Sequence, residues 1–389
     1  MTLVHILGLP FAALAVAAIA YQLIALAAVM RFFAAPTAGA DPGAQALSAV
    51  SVLKPLHGAE PRLAENLGSF LAQDYAGPVQ LVCGTGDASD GALPAVSALR
   101  AGYPAADIAL STGPRRPATN AKIGNVLAML QFARHDILVL SDSDMAVRPD
   151  YLSVLLAALD RTGTGAVTCL YVGRGDCGWW SRISAAMMSY CGLPNMVMAL
   201  ATGIAQPCLG STIAIRRATL ATIGGFERFA DVLADDYAMG EAIAAAGLAV
   251  TVPPMLLTHC CAQGSVAEVW RQHLRWAVTI RGVAPLRHLG SGVVHAVPLA
   301  ILTTAFMPLP GVILVSAALA ARLAIVRKID RVAARNSTAF SLVPIADCLE
   351  FAVYAASLVA RTIHWRGNAL HITGDGRIAG RSNSSLEVP

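Results

Sequence analysis

The chain has 389 residues, 56% of them hydrophobic and only 13% charged, enough for one large domain with membrane elements or for two ordinary domains. Its 28 Lys and Arg against 24 Asp and Glu leave a net charge of +4, which argues against the broad basic field that nucleic-acid binding needs and suits a membrane surface better. Eight scattered cysteines, with Cys260 and Cys261 adjacent and no CxxC pair, indicate neither a disulfide framework nor a zinc knuckle and read as reduced thiols facing a cytosol.

From Leu3 to Met30 the only polar side chains are His5, Tyr21 and Gln22, a run long enough to cross a bilayer. It lacks a basic leader and a small-residue cleavage site, so it reads as a retained anchor. Arg31 follows it directly, which puts the next domain on the cytoplasmic side. "TAGADPGAQ", residues 37–45, reads as a linker.

Strand and helix periods then alternate. "AVSVLKP" is a short apolar run closed by proline, and "RLAENLGSFLAQ" places Leu63, Leu67, Phe70 and Leu71 on one helical face. "VQLVCG" is the next strand, followed by "GALPAVSALRAG", "IALST", the helix "NAKIGNVLAMLQFA" with Asn120 as its N-cap, and the strand "DILVLSD". Such alternation with short connections predicts a parallel α/β sheet, in which ligands bind beyond the carboxyl ends of the strands.

Polar clusters fall at those ends. "GDASDG", with Asp87 and Asp90, has the composition of an ordinary turn. "SDSD" is sharper, because Asp142 and Asp144 lie two residues apart after a buried strand and repel one another unless a positive charge stands near them. A divalent cation is the usual solution, Mg2+ or Mn2+ taking one or two carboxylates and completing its shell with water and substrate phosphates. The competing reading is a helix start with Asp as cap. Lys122 can be read as a solvated helix lysine, and Asp235 and Asp236 as acids placed at a helix start by the dipole. His259 in "THCC" has no partner at metal-ligand spacing. In "RQHLRW", Gln272 and Arg275 share one side of a helix, and Arg275 with Trp276 also fits an interfacial anchor.

Toward the C-terminus, Val293 to Val326 predicts two short spans joined at Pro308 to Gly311, with Arg327, Lys328 and Arg331 at the cytoplasmic face. Phe340 to Ala360 is interrupted by Asp347 and Glu350 and fits a full span, a re-entrant hairpin or an interfacial helix.

Taken in order, "VSVLKPLHG", "NAKIGN", "LVLSDSD", "CLGSTIAIRR", "GGF", "ADDYAMG", "RQHLRW" and "TIHWRGN" resemble the family 2 inverting glycosyltransferases, in the branch of the ceramide glucosyltransferases and bacterial hopanoid-associated glycosyltransferases. The resemblance runs from the anchor through Gly367. It implies a nucleotide-diphospho-sugar (GT-A) Rossmann-like α/β domain over residues 36–289, a membrane anchor over 1–35, and a C-terminal membrane region and tail over 290–389. It further implies a UDP-sugar donor held by Asp87, Asp90, Lys122 and Asp142, and a metal, Mg2+ or Mn2+, on Asp144 and Asp142. Asp236 is then the general base, with Asp235 the weaker candidate, and Gln272, Arg275 and Trp276 close over the diphosphate and the acceptor. The implied acceptor is a membrane lipid hydroxyl of ceramide or hopanoid type, and the implied place is a bacterial inner membrane with the catalytic domain toward the cytoplasm. Two rivals stand beside this reading. A processive polysaccharide synthase shares the acidic residues but needs a channel that the 113 residues after Trp276 hardly supply. A non-catalytic transporter or lipid-binding protein would use Asp347 and Glu350 as intramembrane groups.

Overall fold

The computed structural model describes residues 3–35, 47–113, 116–204, 208–335, 339–360, 362–365 and 368–371. The linker expected at residues 37–45 and residues 366–367 of "TIHWRGN" lie outside them.

An N-terminal helix α1 (Leu3–Phe32) precedes β1 (Val50–Pro55), α2 (Leu63–Ser69), β2 (Val79–Gly84), α3 (Leu93–Gly102), β3 (Asp107–Ser111), α4 (Ala121–Met129) and β4 (Ile137–Leu140). Then come β5 (Met145–Ala146), α5 (Tyr151–Leu159), β6 (Thr164–Val167), β7 (Leu170–Gly175), α6 (Trp179–Ala186), α7 (Leu193–Thr202), β8 (Ile213–Arg216) and α8 (Arg217–Thr222). After these follow α9 (Asp235–Ala245), β9 (Ala249–Thr251), β10 (Leu256–Cys261), α10 (Val266–Val283), α11 (Pro285–Gly290), α12 (Ala296–Phe306), α13 (Pro308–Val332) and α14 (Val343–Ser357). A hairpin of β11 (Thr362–Trp365) and β12 (Asn368–His371) comes last.

The main sheet has the order β3-β2-β1-β4-β8-β6-β9. Strands β1 to β4 pair in parallel as expected, but β8 runs antiparallel to both β4 and β6, so the sheet is mixed rather than parallel. That reversal has a use: an antiparallel strand begins where its parallel neighbours end, so the turn before β8 lands beside the carboxyl ends of β1 and β4. Side chains alternate across the sheet. Val50 and Val52 of β1 join Leu67, Phe70, Leu81 and Tyr151 on one face, while Leu53 joins Ile123, Val126, Leu138 and Phe226 on the other. A second sheet, β5-β10-β7, sets His259 opposite Met145.

Four helices among the described residues are long and apolar enough to cross a membrane: His5–Phe32, Trp179–Thr202, Pro308–Val332 and Phe340–Ser357. Residues Pro285–Val294 and Ala296–Phe306 form a further apolar pair bent by 61°. Helix α1 packs on α12 and α13 through small residues, Ala15, Ala18, Ala296, Ala300 and Ala318, which let the backbones approach.

In the stretch expected to hold two short spans joined at Pro308 to Gly311, α12 and α13 meet one residue earlier. The break lies at Met307, and Pro308 and Pro310 both sit in the first turn of the 25-residue α13, where no intrahelical N–H bond is lost. Residues 340–357 form one continuous helix, long and apolar enough to cross a membrane. The helix over Trp179–Thr202 was not anticipated. Its polar residues dilute the apolar run, and a six-residue π-helical stretch, Met187–Gly192, interrupts its middle. There Arg322 donates to the Tyr190 carbonyl at 2.6 Å and pairs with Asp347 at 3.0 Å, and both charges are buried.

Candidate active site

Four separate segments bring carboxylates and a lysine together beyond the carboxyl ends of β1 and β4. Asn120 caps α4, its side chain accepting from the Lys122 and Ile123 N–H groups, and so fixes where Lys122 starts. Lys122 Nζ lies 2.7 Å from Asp142 Oδ1 and 3.8 Å from Asp235 Oδ2. Asp235 and Asp236 open α9, as the dipole argument expects. Asp235 is buried and accepts from Asn120 Nδ2 at 3.1 Å. Asp236 Oδ2 accepts the Gly210 N–H at 2.8 Å. Gly210 lies in the turn before β8, and a Cβ there would meet Lys122 Nζ at 3.0 Å, Asp142 Oδ2 at 3.2 Å and Asp236 Oδ2 at 3.4 Å. It is the point on which the three charged groups converge, so a larger residue would push them apart.

The Asp142–Ser143–Asp144 turn is clamped on both sides. Ser141 N–H donates to Leu53 O, continuing the β1–β4 pairing, and Cys260 N–H donates to Asp144 O at 2.8 Å. The pairing of β10 with β5 brings His259 Nε2 to 3.1 Å from Asp144 Oδ2. Among the described residues Asp144 Oδ1 is buried with no hydrogen-bond partner, as is Glu60 Oε2.

Electrostatics follow from these contacts. Burial opposes ionisation of Asp144, but the adjoining His259 outweighs it and holds the carboxyl below the usual range. Burial likewise opposes charge on His259, and Asp144 more than compensates, raising it well above the ordinary value. Lys122 is raised as well, Asp142 and Asp235 prevailing over burial. Burial pulls Lys54 down to about 8 and pushes Glu60 up to about 7, the latter with help from Asp144. Asp235 is pushed up to about 6, chiefly by burial, with Lys122 opposing and Asp236 adding to the rise.

An acid with a folded pKa above its unfolded value holds its proton more tightly when folded. The stability from Asp235 is therefore full below the ordinary carboxylate range and lost as pH rises through about 6. Asp235→Asn, which mimics the protonated form, should melt above the wild type at pH 8, and the two should converge toward pH 4. A variant that melts below the wild type at pH 8 would show that the ionised carboxylate is held by Lys122 more strongly than burial opposes it.

The loop after β2 carries the other two acids. Asp90 Oδ1 accepts the Gly58 and Ala92 N–H groups at 2.7 and 2.9 Å, with Oδ2 3.5 Å from His57 Nδ1, so this buried carboxylate ties the loops after β1 and β2 together. Asp87 is exposed and accepts from the Ser89 N–H and hydroxyl. The QxxRW segment lies on α10, whose N-cap Ser265 accepts from the Glu268 N–H. Trp276 packs edge-on against His259 and His273, with ring centroids 6.3 and 5.2 Å away. Arg275 lies 5.9 Å from the Trp276 ring, and Gln272 accepts from Gln263 at 2.6 Å.

The sequence reading thus set His259 aside for want of a partner at metal-ligand spacing and gave no role to Lys54, Glu60 or Gly210. Of the latter three, Lys54 left a local signal, a lone charge inside the apolar run "VSVLKP".

A sheet of this order with acids at the carboxyl ends of its strands is the GT-A arrangement of a glycosyltransferase. The chain shares its fold with the mannosyltransferase PcManGT from Pyrobaculum calidifontis, solved in complex with GDP-Man and Mn2+, at a TM-score of 0.52 and 21% identity over 92% of this chain and 99% of that one. Residues 10–378 match the model of glycosyl transferase family 21, and the chain belongs to that family. It is 23% identical over 244 residues to ceramide glucosyltransferase 1 of Caenorhabditis elegans and 26% identical over 246 residues to ceramide glucosyltransferase 3 of the same organism. Each match takes in 62% of this chain and 52% of the relative, so the chain spans about half the length of these curated relatives.

Proposed function

We propose that the protein is an inverting glycosyltransferase that moves one sugar from a UDP-sugar to the hydroxyl of a membrane lipid of ceramide or hopanoid type. The observation that carries this reading is the convergence of Asp142, Asp236 and Lys122 on Gly210, on a domain whose α10 leads straight into apolar helices. The family and its ceramide glucosyltransferase relatives support the lipid acceptor.

Asp236 accepts the proton of the attacking hydroxyl, and its backbone anchor at Gly210 keeps the carboxylate aimed into the cluster. Asp235, engaged by Asn120 and facing Lys122, orients the start of α9. Lys122 carries positive charge toward the donor diphosphate, and Asp87, exposed on its loop, is the nucleoside contact, whereas Asp90 shapes that loop. Trp276 walls the site from the α10 side, with Gln272 and Arg275 closing over diphosphate and acceptor. A single base facing the sugar implies one displacement and inversion.

A divalent cation fits the residues present. Asp144 and Asp142 would hold it, because Asp144 Oδ1 is buried without a partner among the described residues, while His259 braces the other Asp144 oxygen as its ion-pair partner. Among the described residues no group of three or more His, Cys, Asp or Glu side chains is placed to hold a metal ion by itself, so water and the donor phosphates would have to complete the shell. When bound, such an ion neutralises charge developing on the leaving nucleotide.

Arg31 in the last turn of α1 and Arg327, Lys328 and Arg331 toward the end of α13 favour a cytoplasmic catalytic domain, and a bacterial inner membrane belongs to the same proposal through the family resemblance. The transporter reading loses its main support, since Asp347 pairs with Arg322 and Glu350 lies 3.3 Å from His273 Nδ1.

The test is incubation of purified full-length protein with a panel of UDP-sugars, Mn2+ and a membrane lipid extract, followed by mass spectrometry. One hexose or N-acetylhexosamine increment on a lipid is expected, because the product no longer presents the original hydroxyl to Asp236. A ladder of polymer lengths formed without added lipid would establish the processive synthase instead.

A further inference from the structure

We propose that Lys54 is the positioning residue of the Asp142–Ser143–Asp144 turn, its ammonium gripping the turn from beneath so that both carboxylates stand ready for a divalent cation. The inference rests on the metal-assisted reading of donor binding given above.

Lys54 is fully buried at the carboxyl end of β1, one of the largest side chains with no solvent exposure. Its Nζ donates to the Asp142 carbonyl at 2.6 Å and to Ser141 Oγ at 3.3 Å, and it lies 3.8 Å from the centroid of the Phe70 ring. Phe70 packs edge-on against Tyr151, whose hydroxyl meets Thr212 Oγ1 at 3.0 Å, so the floor beneath the ammonium is rigid. Ser141 Oγ in turn donates to Ser211 O, one residue beyond Gly210. The lysine therefore joins β1, the acidic turn and the start of β8.

Packing alone does not account for a lysine here. An apolar side chain would fill the space against Phe70 without the cost of burying a charge. What the ammonium adds is a charge-assisted bond to a main-chain carbonyl between two carboxylates that would otherwise repel each other. Cys260 N–H on Asp144 O fixes the far end of the same turn, and Lys54 fixes the near end.

The experiment measures UDP affinity of full-length wild type, Lys54→Met and Lys54→Arg, each with and without Mn2+. Lys54→Met should keep metal-free UDP affinity within about two-fold while the Mn2+-dependent gain falls roughly ten-fold or more, the scale of one lost charged hydrogen bond. Lys54→Arg, which keeps the charge and the donor, should recover most of the gain. A Lys54→Met protein with an unchanged or larger Mn2+-dependent gain would overturn the proposal, since Lys54 would then be only a counter-ion that competes with the metal. Loss of UDP binding both with and without Mn2+ would mark a folding failure in the Met variant, and Lys54→Arg then decides: a retained gain supports the positioning role and a lost one ends it. A wild type that binds UDP with no Mn2+-dependent gain would overturn the metal reading itself, and this proposal with it.

Discussion

Asp236→Asn should lower turnover by about two to four orders of magnitude, the range a positioned general base contributes, while UDP-sugar affinity stays within about three-fold of wild type. The asparagine is nearly isosteric, and its side-chain oxygen can still accept the Gly210 N–H that Asp236 Oδ2 accepts at 2.8 Å. The start of α9 and the placement of Lys122 should therefore survive, and what disappears is a group able to take a proton. Asp235 is the natural control, because it sits one residue away but is buried and committed to Asn120 and Lys122. Single-turnover assays with donor in excess, paired with equilibrium donor binding, separate the two effects. If Asp236→Asn kept turnover within about three-fold, the base role would pass to Asp235, and the contact between Asp236 and Gly210 would be purely structural.

Asp144→Ala should act on binding first. The substitution removes the buried Oδ1 that has no partner among the described residues and leaves His259 without the carboxylate 3.1 Å from its Nε2. Removing a supporting neighbour of a metal ligand commonly costs 10- to 100-fold in affinity, so loss of a ligand should reduce the Mn2+-dependent part of UDP affinity by about 100-fold or more. Metal-free UDP binding, which rests on the loop carrying Asp87 and on Lys122, should change little. Calorimetric titration of UDP across a Mn2+ series checks this directly. An Asp144→Ala protein with an unaltered Mn2+ requirement would remove Asp144 from the metal site and leave its contact with His259 as a structural ion pair.

Much of this architecture is local and so was legible along the chain. The short apolar runs of β1, β2 and β4, the helical spacing of α2, the Asn120 cap and the placing of Asp235 and Asp236 in a first helical turn all depend on residues within a few positions of each other. The same holds for α1, where an unbroken apolar stretch is itself the signal. Acids directly after buried strands could be assigned to the ligand-binding edge because parallel neighbours end together.

What the sequence determined by itself was therefore the set of elements and the edge on which the chemistry gathers. Tertiary structure alone decided which groups meet there. His259 lies 115 residues beyond Asp144 and reaches it only because β10 pairs with β5 in a register that no local spacing encodes. Gly210 joins the cluster because β8 runs against β4, and Lys54 meets Asp142 because β1 and β4 are neighbours. Asp347 and Glu350, free acids on paper, meet Arg322 and His273 from other helices, Asp347 in an ion pair at 3.0 Å and Glu350 at 3.3 Å from His273 Nδ1. In each case the contact depends on strand direction, register or helix packing, which burial of the whole apolar surface selects at once and no short segment can specify.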